Sequence, residues 1–134
     1  MFVLNPDKAV AIDFDGVLHP YSKGWNGGRI TDDPFPGIRD FIVGSKSRGY
    51  QIIIFTARFH DTRKEELGFD MMEEITSWLD KHDIPYDHIT GLKPTASCFV
   101  DDRSVHFIPG EWERMDRQID RMMKYHGREP IKEI

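Results

Sequence analysis

The stretch "AVAIDFDGVLHPY" (Ala9–Tyr21) decides how the chain is read. It opens as a short, apolar, β-branched run with the composition of a buried strand. The run then delivers two acids, Asp13 and Asp15, one residue apart, followed by Gly16. Like charges at the end of a buried strand repel, and each raises the other's pKa unless a cation compensates. An arrangement that unfavourable asks for a purpose.

Outward from this stretch, apolar runs alternate with helical patterns. "PGIRDFIVGSKSRG" (36–49) carries Ile38, Phe41, Ile42 and Ser45 at helical spacing and stops at Gly49. "YQIIIFT" (50–56) is apolar on both faces, as a central parallel strand should be. A charged connector, "ARFHDTRKEELG" (57–68), leads to a helix in which Met71, Ile75, Trp78 and Leu79 share one face. "YDHIT" (86–90) and "SCFVDD" (97–102) read as two more strands, and "VHFI" (105–108) as a short final one. A last helix is expected from about Trp112 to His126, with Met115, Ile119, Met122 and Met123 on its apolar face and Gly127 as its stop. This order predicts a doubly wound, three-layer, Rossmann-like α/β fold with a mostly parallel sheet. One domain is expected over residues 1–127, with 18–36 as a flap or loop insertion and 128–134 as a tail.

Composition narrows the classes. The chain has 134 residues, 39% hydrophobic and 31% charged, which suits one globular domain and excludes global disorder. A net charge of −5 gives no support to a broad basic nucleic-acid surface. The single cysteine, Cys98, rules out an internal disulfide and reads as a small buried hydrophobe. No apolar run approaches transmembrane length and no basic, then apolar leader opens the chain, so a cytoplasmic, non-membrane protein is expected.

In doubly wound sheets, function gathers beyond the carboxyl ends of the strands, and there the polar residues of this sequence fall. Asp13 and Asp15 follow the first strand, Thr56 and Arg58 the second, and Asp101 and Asp102 the "CFV" strand; Lys93 lies in the loop before it. Carboxylates in that number call for a hard divalent cation with oxygen ligands, Mg²⁺ above all. With Lys93 and the Thr56 hydroxyl they form a site for a small, highly charged anion. An ionised Asp attacks phosphorus without first losing a proton, so phosphoryl transfer through an aspartyl-phosphate is the natural chemistry. A second carboxyl two residues on suits general acid and base work. An EF-hand fails, because the glycine falls at the fourth position of the loop rather than the sixth, and Gly24 stands where the terminal glutamate would. A phosphorelay receiver domain fails on motif order, since here D-x-D comes first and the adjacent acidic pair last.

The set "AIDFDGVL", "IIIFTAR", "GLKP" and "CFVDDR" resembles, in order, the four motifs of the haloacid dehalogenase superfamily. The likeness spans about Ala9 to Phe107. It implies Asp13 as nucleophile and metal ligand, and Asp15 as general acid/base with its backbone carbonyl on the metal. It further implies Thr56 on the transferring phosphoryl group, Lys93 holding nucleophile and phosphate, and Asp101 completing the Mg²⁺ ligands. Asp102 would orient Lys93 or a metal-bound water. The aspartate at position 15 separates the chain from the dehalogenase branch and implies a Mg²⁺-dependent phosphatase. Members of the superfamily commonly carry a cap domain, for which no gap here has room, so a capless, minimal form is expected. Gly16, Ala57, Arg58, Tyr21, Trp25 and Arg29 are candidates for substrate contact; Tyr21 and Trp25 could equally pack over the domain. The "TAR" and "DDR" spellings are similar to those of the 3′-phosphatase domain of phage-type polynucleotide kinases. The partner is thus a phosphorylated substrate, either a small molecule or a nucleic-acid end. The alternative is a binding or interaction module for a phosphorylated ligand, with weak or no turnover. None of the six histidines shows ligand spacing, and His19 reads as a turn residue.

Overall fold

The computed structural model describes residues 1–131. Contacts divide the chain into two compact units, Met1–Asp102 and Arg103–Ile134. The larger unit is an α/β layer structure with strands β1 (Ala9–Asp13), β2 (Gln51–Phe55), β3 (His88–Thr90) and β4 (Cys98–Val100) and helices α1 (Ile38–Ser47) and α2 (Met71–Lys81). All pairings are parallel and the strand order is β3-β2-β1-β4. The expected doubly wound, Rossmann-like fold is therefore present, and among the described residues no large cap is inserted.

The two inner strands are apolar because both of their faces are covered. Ala9, Ala11 and Ile12 of β1 and Ile52, Ile53 and Ile54 of β2 are buried, as continuous β-branched runs in a parallel sheet should be. Helix α2 inserts Met71, Ile75, Trp78 and Leu79, all four residues of its expected apolar face. Its first turn is capped by Asp70, whose side chain accepts the Glu73 N–H at 3.1 Å. Helix α1 buries only Ile42; Phe41 is 48% exposed, so its apolar stripe is narrower than the spacing implies.

Residues 18–36 are tied down along their length. Leu18 and Ile30 enter the core, the Trp78 indole N–H donates to Asp32 O at 2.8 Å, and Ser22 bonds the Asp32 carboxylate through both its N–H and its hydroxyl at 2.7 Å. Cys98 is exposed, contrary to the reading of a buried hydrophobe, because β4 is an edge strand. The connector after β2 forms two 3₁₀ segments, Ala57–His60 and Thr62–Glu66.

In the second unit, helix α3 spans Trp112–Tyr125, and none of its residues is buried. Residues 105–108 form no strand, and Phe107 packs on Trp112 with ring centroids 5.9 Å apart. The expected tail, 128–134, runs partly outside the described residues. Among the described residues, no helix is long and apolar enough to cross a membrane.

Candidate functional site

The chain runs β1, β2, β3 to one side and then returns to lay β4 against the free edge of β1. The point where the order reverses lies between β1 and β4, and there an open α/β sheet leaves a crevice beyond its carboxyl ends. Register delivers the acids to it. Ile12 pairs with Val100, so the next residues along, Asp13 and Asp101, emerge side by side. One carboxylate oxygen each from Asp13, Asp101 and Asp102 lie within 4.8 Å of one another.

Gly16 makes that approach possible. It holds φ at +88°, and a Cβ there would collide with the Asp102 carboxylate. Gly16→Ala is expected to destabilise the protein by about 1–2 kcal/mol from the backbone conformation alone and to weaken Mg²⁺ binding by displacing Asp102. Urea unfolding and a Mg²⁺ titration measure the two effects; wild-type values for both would contradict this packing.

The three carboxylates crowd one another electrostatically. Burial, then the charge of Asp101, then hydrogen bonding and charge from Asp102, push the Asp13 carboxyl up to about 8, with Asp15 adding a smaller push. Three oxygen donors this close, one of them held from ionising by its neighbours, suit a hard divalent ion, which would reverse every one of these repulsions. A pH dependence follows. Without metal, folded Asp13 keeps its proton up to about pH 8, whereas the unfolded chain releases it near 3.8. The folded state binds more protons across that interval, so stability falls as pH rises through it. Thermal melting in EDTA should show Tm falling from pH 5 to pH 8, and millimolar Mg²⁺ should flatten the fall. A metal-free Tm that rises over this range would sink the argument.

Asp15 is placed differently. Arg58 meets it as a fork, Nε to Oδ2 at 2.7 Å and Nη2 to Oδ1 at 3.0 Å. His19 Nδ1 lies 2.9 Å from Oδ1. Burial would raise the Asp15 carboxyl, but the hydrogen bonds from His19 and Arg58 and the Arg58 charge outweigh it and hold the group below the usual range. An ionised carboxylate only accepts, so His19 Nδ1 carries the proton of that bond. The other ring nitrogen of His19 faces Asp32 Oδ2 at 3.6 Å. The hydrogen-bonded chain therefore runs Arg58, Asp15, His19 and stops there, since among the described residues His19 Nε2 has no hydrogen-bond partner; His19 is only 2% exposed and packs against Phe14 and Trp78.

The remaining candidates divide. Thr56 is buried at the end of β2; its N–H donates to Thr90 O at 3.0 Å and its hydroxyl oxygen accepts the Arg58 N–H at 3.1 Å. Arg58 is 3% exposed and gives its other donor to Gly28 O at 3.1 Å, so its guanidinium is engaged inside the protein. Ala57 is exposed at the head of the following 3₁₀ turn. Lys93 is exposed, with Nζ 5.1 Å from the centre of the Phe99 ring, and among the described residues it makes no ion pair. Tyr21 and Trp25 both lie beside the Arg58 guanidinium, at 5.7 and 5.3 Å from their ring centres. Arg29 pairs with Glu74 at 3.1 Å. His19 is the residue that sequence reasoning missed. Its only signal is the four-residue spacing from Asp15, and the contact exists because the turn folds back so that Gly16 N–H donates to His19 O at 2.7 Å.

In comparisons with known proteins, no protein-family model and no curated protein matches the chain. A solved structure of a conserved protein from Bacteroides thetaiotaomicron is similar, with a TM-score of 0.54 and 16% sequence identity over 89% of this chain and 92% of that one. At that identity the likeness bears on the fold alone.

Proposed function

We propose that the chain is a Mg²⁺-dependent phosphohydrolase of the haloacid dehalogenase type that cleaves phosphomonoesters through an aspartyl-phosphate on Asp13. The observation that carries this reading is the gathering of Asp13, Asp101 and Asp102 within 4.8 Å at the sheet's reversal point, with Asp15 and Thr56 on the adjoining strand ends. The four motifs in order support it independently.

Asp13, Asp101 and Asp102 would hold the ion, which when bound neutralises charge on the cluster and on the phosphoryl oxygens. The protein's own residues do the rest. The Asp13 carboxylate attacks phosphorus and the ester oxygen leaves; water then attacks the acyl phosphate and restores Asp13. Asp15 serves the leaving oxygen and the incoming water, with Arg58 and His19 fixing its rotamer. The Thr56 hydroxyl donates to the transferring group, and the exposed Lys93 would have to swing from Phe99 toward it.

The test is phosphate release from an aryl phosphate, sugar phosphates, mononucleotides and a 3′-phosphorylated oligonucleotide, with Mg²⁺ and with EDTA. Release that needs the metal is the expected result. One observation favours the second reading, a binding module: Asp15 is held ionised by Arg58 and so is a weak proton donor. Mg²⁺-dependent binding of a phosphate mimic without release from any substrate would decide for the module.

A further inference from the structure

A carboxylate offers about four lone-pair positions, two on each oxygen, and around Asp15 three of them are taken. The Arg58 fork takes one on each oxygen, through Nε on Oδ2 at 2.7 Å and Nη2 on Oδ1 at 3.0 Å. His19 Nδ1, at 2.9 Å, takes the second position on Oδ1. These two residues leave one position, on Oδ2, and the Asp15 side chain keeps 21% exposure through which it can be reached.

The imidazole has no room to do otherwise. Its backbone is held on both sides, His19 N–H donating to Phe14 O at 3.0 Å and His19 O accepting the Gly16 N–H at 2.7 Å. Its ring lies against Phe14 and Trp78, with centroids 5.7 and 5.8 Å away, and Trp78 is itself fixed by the bond of its indole to Asp32 O. Among the described residues Nε2 is buried without a hydrogen-bond partner. Burying an unpaired polar atom costs free energy, and an apolar side chain would fill the same slot without that cost. What the imidazole adds to the slot is its hydrogen bond to Asp15.

We infer that Asp15 performs its acid/base work through one oxygen, Oδ2, the one that meets Arg58 Nε, and that His19 is the positioning residue that imposes this choice by filling Oδ1. The inference rests on the phosphohydrolase reading above. As the Asp13 carboxylate attacks phosphorus, the bond from phosphorus to the ester oxygen breaks. That oxygen keeps the electron pair and takes the proton from Oδ2. Water then attacks phosphorus and the bond to Asp13 breaks, which restores its carboxylate. The water's hydroxyl stays in the phosphate, and its proton returns to Oδ2 for the next turnover. Without His19 the proton divides between two oxygens, of which one is aimed.

The test compares leaving groups that differ in their need for a proton. In Mg²⁺, kcat/KM covers only the steps up to the aspartyl-phosphate. It is measured on 4-nitrophenyl phosphate, whose leaving oxygen is stable as an anion, and on ethyl phosphate, whose leaving oxygen is not. His19→Asn keeps an amide N–H near the place of Nδ1, whereas His19→Gln carries it toward the place of Nε2 and leaves Oδ1 open. His19→Gln should lower kcat/KM on ethyl phosphate by roughly tenfold or more, a fraction of the 10²–10⁴ that a positioned acid contributes. Its loss on the nitrophenyl ester should be much smaller, and His19→Asn should recover most of the loss on ethyl phosphate. Equal losses on the two esters, or an asparagine variant no better than the glutamine one, would make His19 a structural turn residue and leave the phosphohydrolase standing. ¹⁵N NMR of the unsubstituted protein needs no variant to fold. It should show His19 protonated at Nδ1, and an Nδ1 without a proton overturns the inference by itself. A wild type that releases phosphate from neither ester, nor from the substrates named above, overturns the hydrolase reading and this inference with it.

Discussion

Asp13→Asn should lower metal-dependent phosphate release on the order of a thousandfold or more, and at the same time raise the melting temperature of the metal-free protein. The two effects have one origin. An amide cannot attack phosphorus as a carboxylate does, so the covalent step is lost. The same substitution removes one member of a cluster in which Asp101, Asp102 and burial push the Asp13 carboxyl to about 8. The amide N–H can replace the Asp13 hydroxyl as hydrogen-bond donor to Asp102 while contributing no charge. The pH dependence of melting in EDTA should flatten with it. Full activity in this variant would end the aspartyl-phosphate mechanism, whereas a less stable metal-free protein would contradict the crowding of carboxylates on which the cation site rests.

Arg58→Met should destabilise the protein by about 3 kcal/mol, the lower end of the cost of removing one partner from a buried ion pair, with Tm falling on the order of 10 °C. Arg58 is 3% exposed and Asp15 21%, so the carboxylate left behind is only partly hydrated. His19 keeps one hydrogen bond to it, which is why the lower end applies. Methionine fills much of the volume, so the loss reports the missing fork rather than an empty space. Adding Asp15→Asn should recover part of the loss, and a double-mutant cycle from urea unfolding should give a coupling of about 1–3 kcal/mol. A single-variant loss below about 1 kcal/mol, or no coupling, would mean that Arg58 is held by packing and not by Asp15.

The arginine shows why the candidate site was only partly legible beforehand. "TAR" places a cation two residues beyond a strand end, where a substrate would lie, and nothing in the sequence says whether it turns outward or in. The fold turns it in, because the Thr56 hydroxyl caps the following 3₁₀ turn and the Gly28 carbonyl waits on the other side. Asp15, 43 positions earlier, receives the fork. His19 is a similar case, a turn residue by spacing that became a buried hydrogen-bond partner once Phe14 and Trp78 closed around it.

What the sequence determined by itself is local. Apolar runs of strand length, helical periodicity in 71–79 and the polar residues at the strand ends follow from side-chain burial over a few neighbouring positions, and they suffice for an α/β fold with Asp13, Thr56 and Asp101 at the ends of strands. Strand order is not local. Only the tertiary structure laid β4 against β1 rather than β3, and that pairing, through the Ile12–Val100 register, set Asp101 and Asp102 against Asp13. The physical reason is that a parallel ladder joins residues about 90 positions apart through backbone hydrogen bonds that every residue can make, so side-chain pattern marks a strand without naming its neighbour.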